Sequence, residues 1–173
     1  MSAPDIDFVP HFIPEPDALF EQLKHSVLWD ERMRARKTAS FGVPYDYSQI
    51  SYPAVPMPEA LGQLCPAIER LLGFGPNNCL LNFYPDGQSS MGFHSDANEQ
   101  LIAGTGVVVI SLGHARSMLF KHKQSGVIHE YSLPSGSLLH MSDELQTQWL
   151  HAIPKAPGAG ERISLSFRQL KEQ

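Results

Sequence analysis

The stretch Asn82-Phe83-Tyr84-Pro85-Asp86-Gly87-Gln88-Ser89-Ser90-Met91-Gly92-Phe93-His94-Ser95-Asp96 ends in a His-x-Asp pair. Residues two apart in an extended segment point to one side, so His94 and Asp96 can present an imidazole and a carboxylate together. These groups are two of the three ligands in the 2-His-1-carboxylate facial triad, which holds non-haem Fe(II) and leaves positions open. We take His151 as the third ligand, with His140 as its main rival. The alternative is a loop carboxylate that only satisfies a neighbouring imidazole.

The C-terminal run Arg162-Ile163-Ser164-Leu165-Ser166-Phe167-Arg168 alternates strictly between polar and apolar residues, which predicts a half-buried strand. The earlier run 80–84 has the same polar alternation, with Asn82 and Tyr84 on one face. Either this polar face is solvated, or its residues line the inside of a small barrel. Arginines that face inward need an anion to offset their desolvation. A dicarboxylate such as 2-oxoglutarate fits two arginines, because guanidinium pairs bidentately with carboxylate.

The ordered set of these motifs resembles the AlkB family of Fe(II)/2-oxoglutarate dioxygenases over about residues 76–170. The residues that carry the resemblance are Asn82, Tyr84, Gly87, His94, Asp96, Gly113, Arg116, His151, Arg162 and Arg168. The resemblance implies Fe(II) as the metal, 2-oxoglutarate as co-substrate and O2 as oxidant. It implies His94, Asp96 and His151 as catalytic metal ligands. It also implies a 2-oxoglutarate site made by Asn82, Tyr84, Arg162, Ser164 and Arg168, although many relatives carry Asn where Ser164 stands.

The resemblance also implies a substrate. Segment 111–123 is similar to the branch of the family that repairs alkylated DNA, in which N-methyl groups of 1-methyladenine and 3-methylcytosine type are oxidised. The products would be formaldehyde, succinate and CO2, and we expect alkylated single-stranded DNA or RNA as partner. In AlkB-like proteins the region before the barrel forms a nucleotide-recognition lid. The substrate-binding candidates are Arg36, Phe41, Tyr45, Tyr47, Tyr52, Asn98 and Arg116. The alternative is hydroxylation of a small molecule or a protein side chain.

Composition limits the remaining possibilities. The chain has 173 residues, a net charge of -5 and two cysteines. We expect one domain, 1–173, with N-terminal helices and lid in about 1–75 and a catalytic core in about 76–170. No apolar run is long enough to cross a membrane, and the first residues lack the pattern of a secretory signal, so we expect a cytoplasmic monomer. The negative net charge does not favour nucleic acid as a partner, but the segment 32–37 carries four cations.

The pattern of elements predicts a mainly β protein with flanking helices (α+β), built on a double-stranded β-helix, the jelly roll of cupin-like folds. We expect one helix from Pro16 to near Trp29 and a second from Pro58 to Gly73, which Pro66 should kink or split. The predicted strands are 78–84, 105–112, 117–122, 127–132, 137–141, 145–152 and 161–168.

Overall fold

The computed structural model describes residues 3–172. The helices in this range are α1 (Pro16–Ser26), α2 (Glu59–Gly62), α3 (Leu64–Leu72) and α4 (Asp143–Gln148). The strands are β1 (Ile6–Val9), β2 (Lys37–Gly42), β3 (Tyr45–Tyr47), β4 (Ile50–Tyr52), β5 (Asn78–Tyr84), β6 (Met91–His94), β7 (Val107–Gly113), β8 (Arg116–His122), β9 (Ile128–Leu133), β10 (Leu138–Met141), β11 (Trp149–Ile153) and β12 (Arg162–Arg168). None of the described helices has the length and apolar character needed to cross a membrane.

The strands form two main antiparallel sheets and a small hairpin. The larger sheet has the order β1-β10-β7-β12-β5-β2, the smaller one has the order β6-β11-β8-β9, and β3 pairs with β4. Strands that are distant in sequence lie side by side in both sheets, as in a jelly roll. The predicted fold class, mainly β with a double-stranded β-helix core, is confirmed.

The core has two parts because the larger sheet is covered on both faces. On its outer face, Ile163, Leu165 and Phe167 of β12 pack with residues of α1 and α3. On its inner face, Leu80 and Tyr84 of β5 meet residues of the smaller sheet. All seven residues of β12 are buried between β7 and β5. The alternation in 162–168 therefore separates a helix-covered apolar face from a polar face that is buried between the sheets.

Three predictions about elements need correction. Helix α1 ends at Ser26 rather than near Trp29, because Val27 is already extended. The second helix is split as predicted, but at Gln63, and Pro66 lies in the first turn of α3, where its missing N–H costs no hydrogen bond. The predicted strand 145–152 is wrong in its first half, which is helix α4. Ser142 caps that helix by accepting a hydrogen bond from the Leu145 N–H at 3.3 Å.

Candidate active site

Strand pairing brings the two histidines of the predicted metal site together. His94 on β6 lies directly opposite His151 on β11, and their ring centroids are 4.3 Å apart. A bulge follows, since β6 has two residues between its paired positions Met91 and His94 where β11 has one. The bulge turns both Met91 and His94 toward the cavity between the sheets. The smaller sheet thus supplies both imidazoles from adjacent strands.

Asp96 completes the group from the loop after β6. Its Oδ1 lies 3.6 Å from His94 Nε2, and its Oδ2 lies 3.7 Å from His151 Nε2. One ligand atom from each of the three residues falls within 4.8 Å of the others. A metal-binding group therefore forms where the sequence predicts it.

Two side chains that sequence reasoning missed hold the Asp96 loop. Gln146 of α4 accepts a hydrogen bond from the Asp96 N–H at 2.8 Å, and Ser95 Oγ donates to the Trp149 carbonyl at 3.0 Å. Gln146 is buried. A loop carboxylate becomes a fixed ligand when neighbours lock its backbone.

The protonation states of His151 and Asp96 at neutral pH suit metal binding. His94 Nδ1 donates to the Gly92 carbonyl at 2.8 Å, which leaves Nε2 free to act as a ligand. Burial lowers the pKa of His151 to about 4, so this imidazole is neutral. Burial alone would raise the pKa of Asp96, but the interaction with His94 and the charge of Arg168 hold it well below its usual range. The carboxylate is therefore ionised.

The polar face of β12 forms a cationic wall beside this group. Arg168 Nη2 lies 3.6 Å from Asp96 Oδ1, and its guanidinium lies over the Tyr45 ring at 4.8 Å. Arg162 lies over the Tyr84 ring at 4.9 Å and donates to Ser111 Oγ at 2.9 Å. In both arginines Nε and Nη1 are buried without a hydrogen-bond partner among the described residues.

The residues of this site can be compared with what Fe(II) and 2-oxoglutarate require of a binding site. Two nitrogens and one carboxylate oxygen are the donor set of a non-haem iron site, and Asp96 Oδ2 is buried without a hydrogen-bond partner in the described chain. The unpaired guanidinium donors need a buried anion. The cavity joins both features, since it is lined by His94, Asp96, His151, Asn82, Tyr84, Arg162, Ser164 and Arg168. The residues present fit both groups.

Comparison with known proteins also indicates an Fe(II) and 2-oxoglutarate site. The profile of the 2OG-Fe(II) oxygenase superfamily matches residues 17–168. The chain belongs to this superfamily. This membership confirms Fe(II), 2-oxoglutarate and O2 as the predicted cofactors. As in other 2OG-Fe(II) oxygenases, the metal and the co-substrate supply the oxidative chemistry, and the protein binds and orients them.

The predicted resemblance to AlkB proteins is also confirmed. This oxygenase is 27% identical to "DNA oxidative demethylase ALKBH2" of Bos taurus over 180 residues, which cover 90% of the chain and 65% of that protein. It is 30% identical to "Alpha-ketoglutarate-dependent dioxygenase alkB homolog 3" of Rattus norvegicus over 178 residues, or 90% of the chain and 60% of that protein. The chain therefore spans less than two thirds of the length of either relative.

Solved structures share the fold of this oxygenase. The structure of OsALKBH1 has a TM-score of 0.71 at 17% identity, with 98% of this chain and 100% of that chain covered. A Pseudomonas putida prolyl-4-hydroxylase has a TM-score of 0.63 at 19% identity, with 95% and 92% covered. At these identities the likeness concerns the fold alone.

Two of the predicted substrate residues, Arg36 and Tyr47, lie at the cavity mouth of the oxygenase, and Tyr45 is buried beside Tyr47. Tyr45 and Tyr47 of β3 stack with ring centroids 6.5 Å apart, and Tyr47 lines the cavity. Arg36 is buried and joins two sides of the mouth, since its Nε donates to Asn82 Oδ1 at 3.0 Å and its Nη2 to the Tyr47 hydroxyl at 2.8 Å. The hairpin β3–β4 is thus tied to the floor of the cavity through one guanidinium.

The basic cluster of segment 32–37 is mostly neutralised. Arg32 pairs with Asp30, and Lys37 lies 3.2 Å from Glu31. With Arg36 buried in the mouth, Arg34 is left as the exposed cation of the cluster that has no ion pair among the described residues. The cluster therefore offers less free positive charge for nucleic-acid binding than its sequence indicates.

Other predicted substrate residues lie elsewhere. Phe41 packs with the helix-side core, on the outer face of the larger sheet, so the structure does not bring it to the cavity. The Tyr52 hydroxyl is 2.6 Å from Thr38 Oγ1, and both residues line a separate pocket beside Trp29. Asn98 is exposed in the loop after Asp96.

Arg116 and His140 have structural partners. Arg116 is buried, and its Nη2 donates to the carbonyls of Ser89 at 2.8 Å and Pro154 at 2.6 Å. It therefore joins the loop before β6 to the loop after β11. His140 Nε2 bonds to the Thr105 carbonyl at 2.7 Å, and this histidine lies outside the metal-binding group.

Proposed function

We propose that this oxygenase demethylates N-alkylated bases, of 1-methyladenine and 3-methylcytosine type, in single-stranded DNA or RNA. Formaldehyde, succinate and CO2 are the products. The observation that carries the proposal is the mouth of the metal cavity, where the Tyr47 ring and the buried Arg36 lie beside the metal-binding group. The names of the relatives, which include "DNA oxidative demethylase", support the same substrate class.

The chain's own residues have separate tasks in this reaction. His94, Asp96 and His151 would hold Fe(II), which supplies activation of O2 when it is bound together with 2-oxoglutarate. Arg162 and Arg168 would pair with the carboxylates of the co-substrate, with Asn82, Tyr84 and Ser164 beside them. Apolar side chains complete the wall and exclude water: Val107, Val109, Met118, Met141 and Ile153.

The shape of the mouth favours a base over an intact duplex. The cavity lies between two sheets, so a methylated base must leave its stack to reach the metal ligands. Tyr47 offers an aromatic ring where an extruded base would enter, and the buried Tyr45 stacks with it. A base in a single strand needs less energy to reach this position, which is why we assign single-stranded substrate.

Mass spectrometry of a methylated oligonucleotide tests the proposal. Protein loaded anaerobically with Fe(II) is given 2-oxoglutarate, O2 and a single strand with one 1-methyladenine or 3-methylcytosine. We expect loss of one methyl mass that requires both Fe(II) and 2-oxoglutarate. Asp96→Ala should abolish the loss, whereas His11→Ala, at an exposed histidine, should not. Succinate formation without any change in oligonucleotide mass would contradict the proposed substrate and favour a small molecule or protein side chain.

A further inference from the structure

A surface groove leads outward from the metal cavity. Tyr47, Met91 and His94 line both the cavity and this groove, so the two are continuous. The groove runs between the β3–β4 hairpin and strand β6, where Ser48 and Phe93 form its outer walls. A chain that placed one unit in the cavity would leave through this groove.

Phe93 is an aromatic residue at the outer end of the groove. Because His94 faces inward, the preceding side chain faces outward, and Phe93 is 41% exposed. Lys121 Nζ lies 5.6 Å from the centroid of its ring. Lys121 projects from β8 on the outer face of the smaller sheet, beside Leu150 and Ile128 of the flanking strands. Helices α1 and α3 pack on the other sheet, and on this face Phe93 is exposed and Lys121 is half-buried.

This pair has the two groups that bind a nucleotide without regard to sequence. An aromatic face stacks on a base, and a cation pairs with a phosphate. Phe93 follows the cavity-lining residues along the groove, where a nucleotide next to the base in the cavity would leave. Glu130, an exposed acid on this face, accepts a hydrogen bond from Ser117 Oγ at 2.7 Å.

We propose that Phe93 and Lys121 form a platform for the nucleotide next to the base in the cavity. The Phe93 ring stacks on that neighbouring base, and the Lys121 ammonium pairs with its phosphate. The partner is single-stranded nucleic acid, whose phosphates match the Lys121 cation and whose bases match the Phe93 ring at the outer end of the groove. The inference rests on the proposed function and adds a specific binding surface outside the metal cavity.

Binding of a fluorescent single-stranded oligonucleotide tests the platform. Fluorescence anisotropy is measured anaerobically on protein loaded with Fe(II) and 2-oxoglutarate. We expect Phe93→Ala to weaken binding roughly ten-fold or more, which is the usual effect of removing a stacking ring, and Phe93→Trp to restore it. Phe8→Ala is the matched control, because Phe8 is 40% exposed on β1 at the far edge of the larger sheet. Equal affinities of Phe93→Ala and Phe8→Ala would overturn the platform.

The salt dependence of binding tests Lys121 separately. We expect Lys121→Gln to reduce the slope of log affinity against log salt by about 0.7, the contribution of one phosphate contact on a single strand. Lys155→Gln, at an exposed lysine in the loop after β11, should leave the slope unchanged. An unchanged slope for Lys121→Gln would overturn its assigned contact.

Turnover separates a failure of the platform from a failure of the proposed function. Phe93→Ala should raise KM for a methylated oligonucleotide and leave the turnover of a methylated mononucleotide unchanged, because the mononucleotide lacks the neighbouring base. Phe93-dependent binding without demethylation would refute the demethylase and keep the platform. Concentration-dependent dimerisation that Phe93→Ala abolishes, with no effect on oligonucleotide binding, would assign the surface to a second copy of the chain and overturn the proposal.

Discussion

Replacement of Arg162 by methionine should have opposite effects on folding and on co-substrate binding. Arg162 is 1% exposed, and its Nε and Nη1 have no hydrogen-bond partner among the described residues. Burial also lowers the pKa of this guanidinium, which shows that its charge is poorly compensated without an anion. Methionine removes the desolvation cost of this buried charge, which offsets the loss of the Arg162 hydrogen bond to Ser111 Oγ. The protein without co-substrate should therefore unfold at the same temperature or a higher one.

Binding of 2-oxoglutarate should suffer by contrast. Two lost charge-assisted hydrogen bonds, at about 1.5–3 kcal/mol each, amount to about 3–6 kcal/mol, which weakens binding by at least roughly 100-fold. In the wild type, co-substrate at about 100 times Kd adds about 2.7 kcal/mol of stability. For a chain of this size that raises Tm by about 5–10 °C. In Arg162→Met the same concentration should raise Tm by about 1 °C at most.

Differential scanning fluorimetry with Mn(II) and 2-oxoglutarate measures both effects. Arg116→Met is the matched control, since this arginine is equally buried and has two unpartnered nitrogens among the described residues, but its Nη2 donates to two carbonyls. We expect the control to lose stability without ligand and to keep the shift with 2-oxoglutarate. A large fall in the Tm of Arg162→Met without ligand, together with a normal shift on addition of 2-oxoglutarate, would refute the assignment of Arg162 to the co-substrate.

Other predictions concern the metal ligands and the loops that carry them. His151→Ala should abolish Mn(II) binding in calorimetry, whereas His140→Ala should retain it, because the His140 ring bonds to a backbone carbonyl. Since burial lowers the pKa of His151 to about 4, the unfolded chain takes up a proton that the folded one does not as pH falls below about 6.5. The stability of the metal-free protein should thus fall from pH 7 to pH 5. In thermal melts, His151→Gln should reduce this dependence of Tm on pH. The same dependence in both proteins would contradict the assignment of the effect to His151. Gly87→Ala should destabilise by about 2 kcal/mol or more in urea titrations, because its Cβ would lie 1.8 Å from the Ala156 carbonyl oxygen. Gly62→Ala, which meets no atom within 4 Å, should not destabilise.

The polar lining of the cavity could be predicted, because successive side chains in a strand point to opposite faces of the sheet. In a strand with neighbours on both sides, the apolar residues of 162–168 take the helix-covered face, so Arg162 and Arg168 must share the opposite face. The same period places Asn82 and Tyr84 beside them. The metal-binding group was predictable only from the order of motifs, because His94 and His151 become neighbours through pairing of distant strands.

The helix α4 was missed because its apolar residues are few and the segment is short. Ser142, followed by two acidic residues, has the pattern of a helix start, and its side chain does cap the helix. The role of Gln146 has no local signal, since its amide bonds to a backbone group 50 residues away in sequence. Phe41 was assigned by residue type, but alternation with Thr38 and Ser40 places it on the helix-covered face with Ala39.

The ratio of formaldehyde to succinate during turnover of a methylated single strand is the decisive test of the claim that this oxygenase demethylates a base held at its metal site. Both products are measured in one reaction that contains the Fe(II)-loaded protein, 2-oxoglutarate, O2 and an oligonucleotide with 1-methyladenine. If the cavity holds the methylated base beside His94, Asp96 and His151, succinate should form rapidly only with the methylated strand, and formaldehyde should appear in equal amount. Succinate that forms at the same rate with an unmethylated strand, without formaldehyde, would contradict the claim.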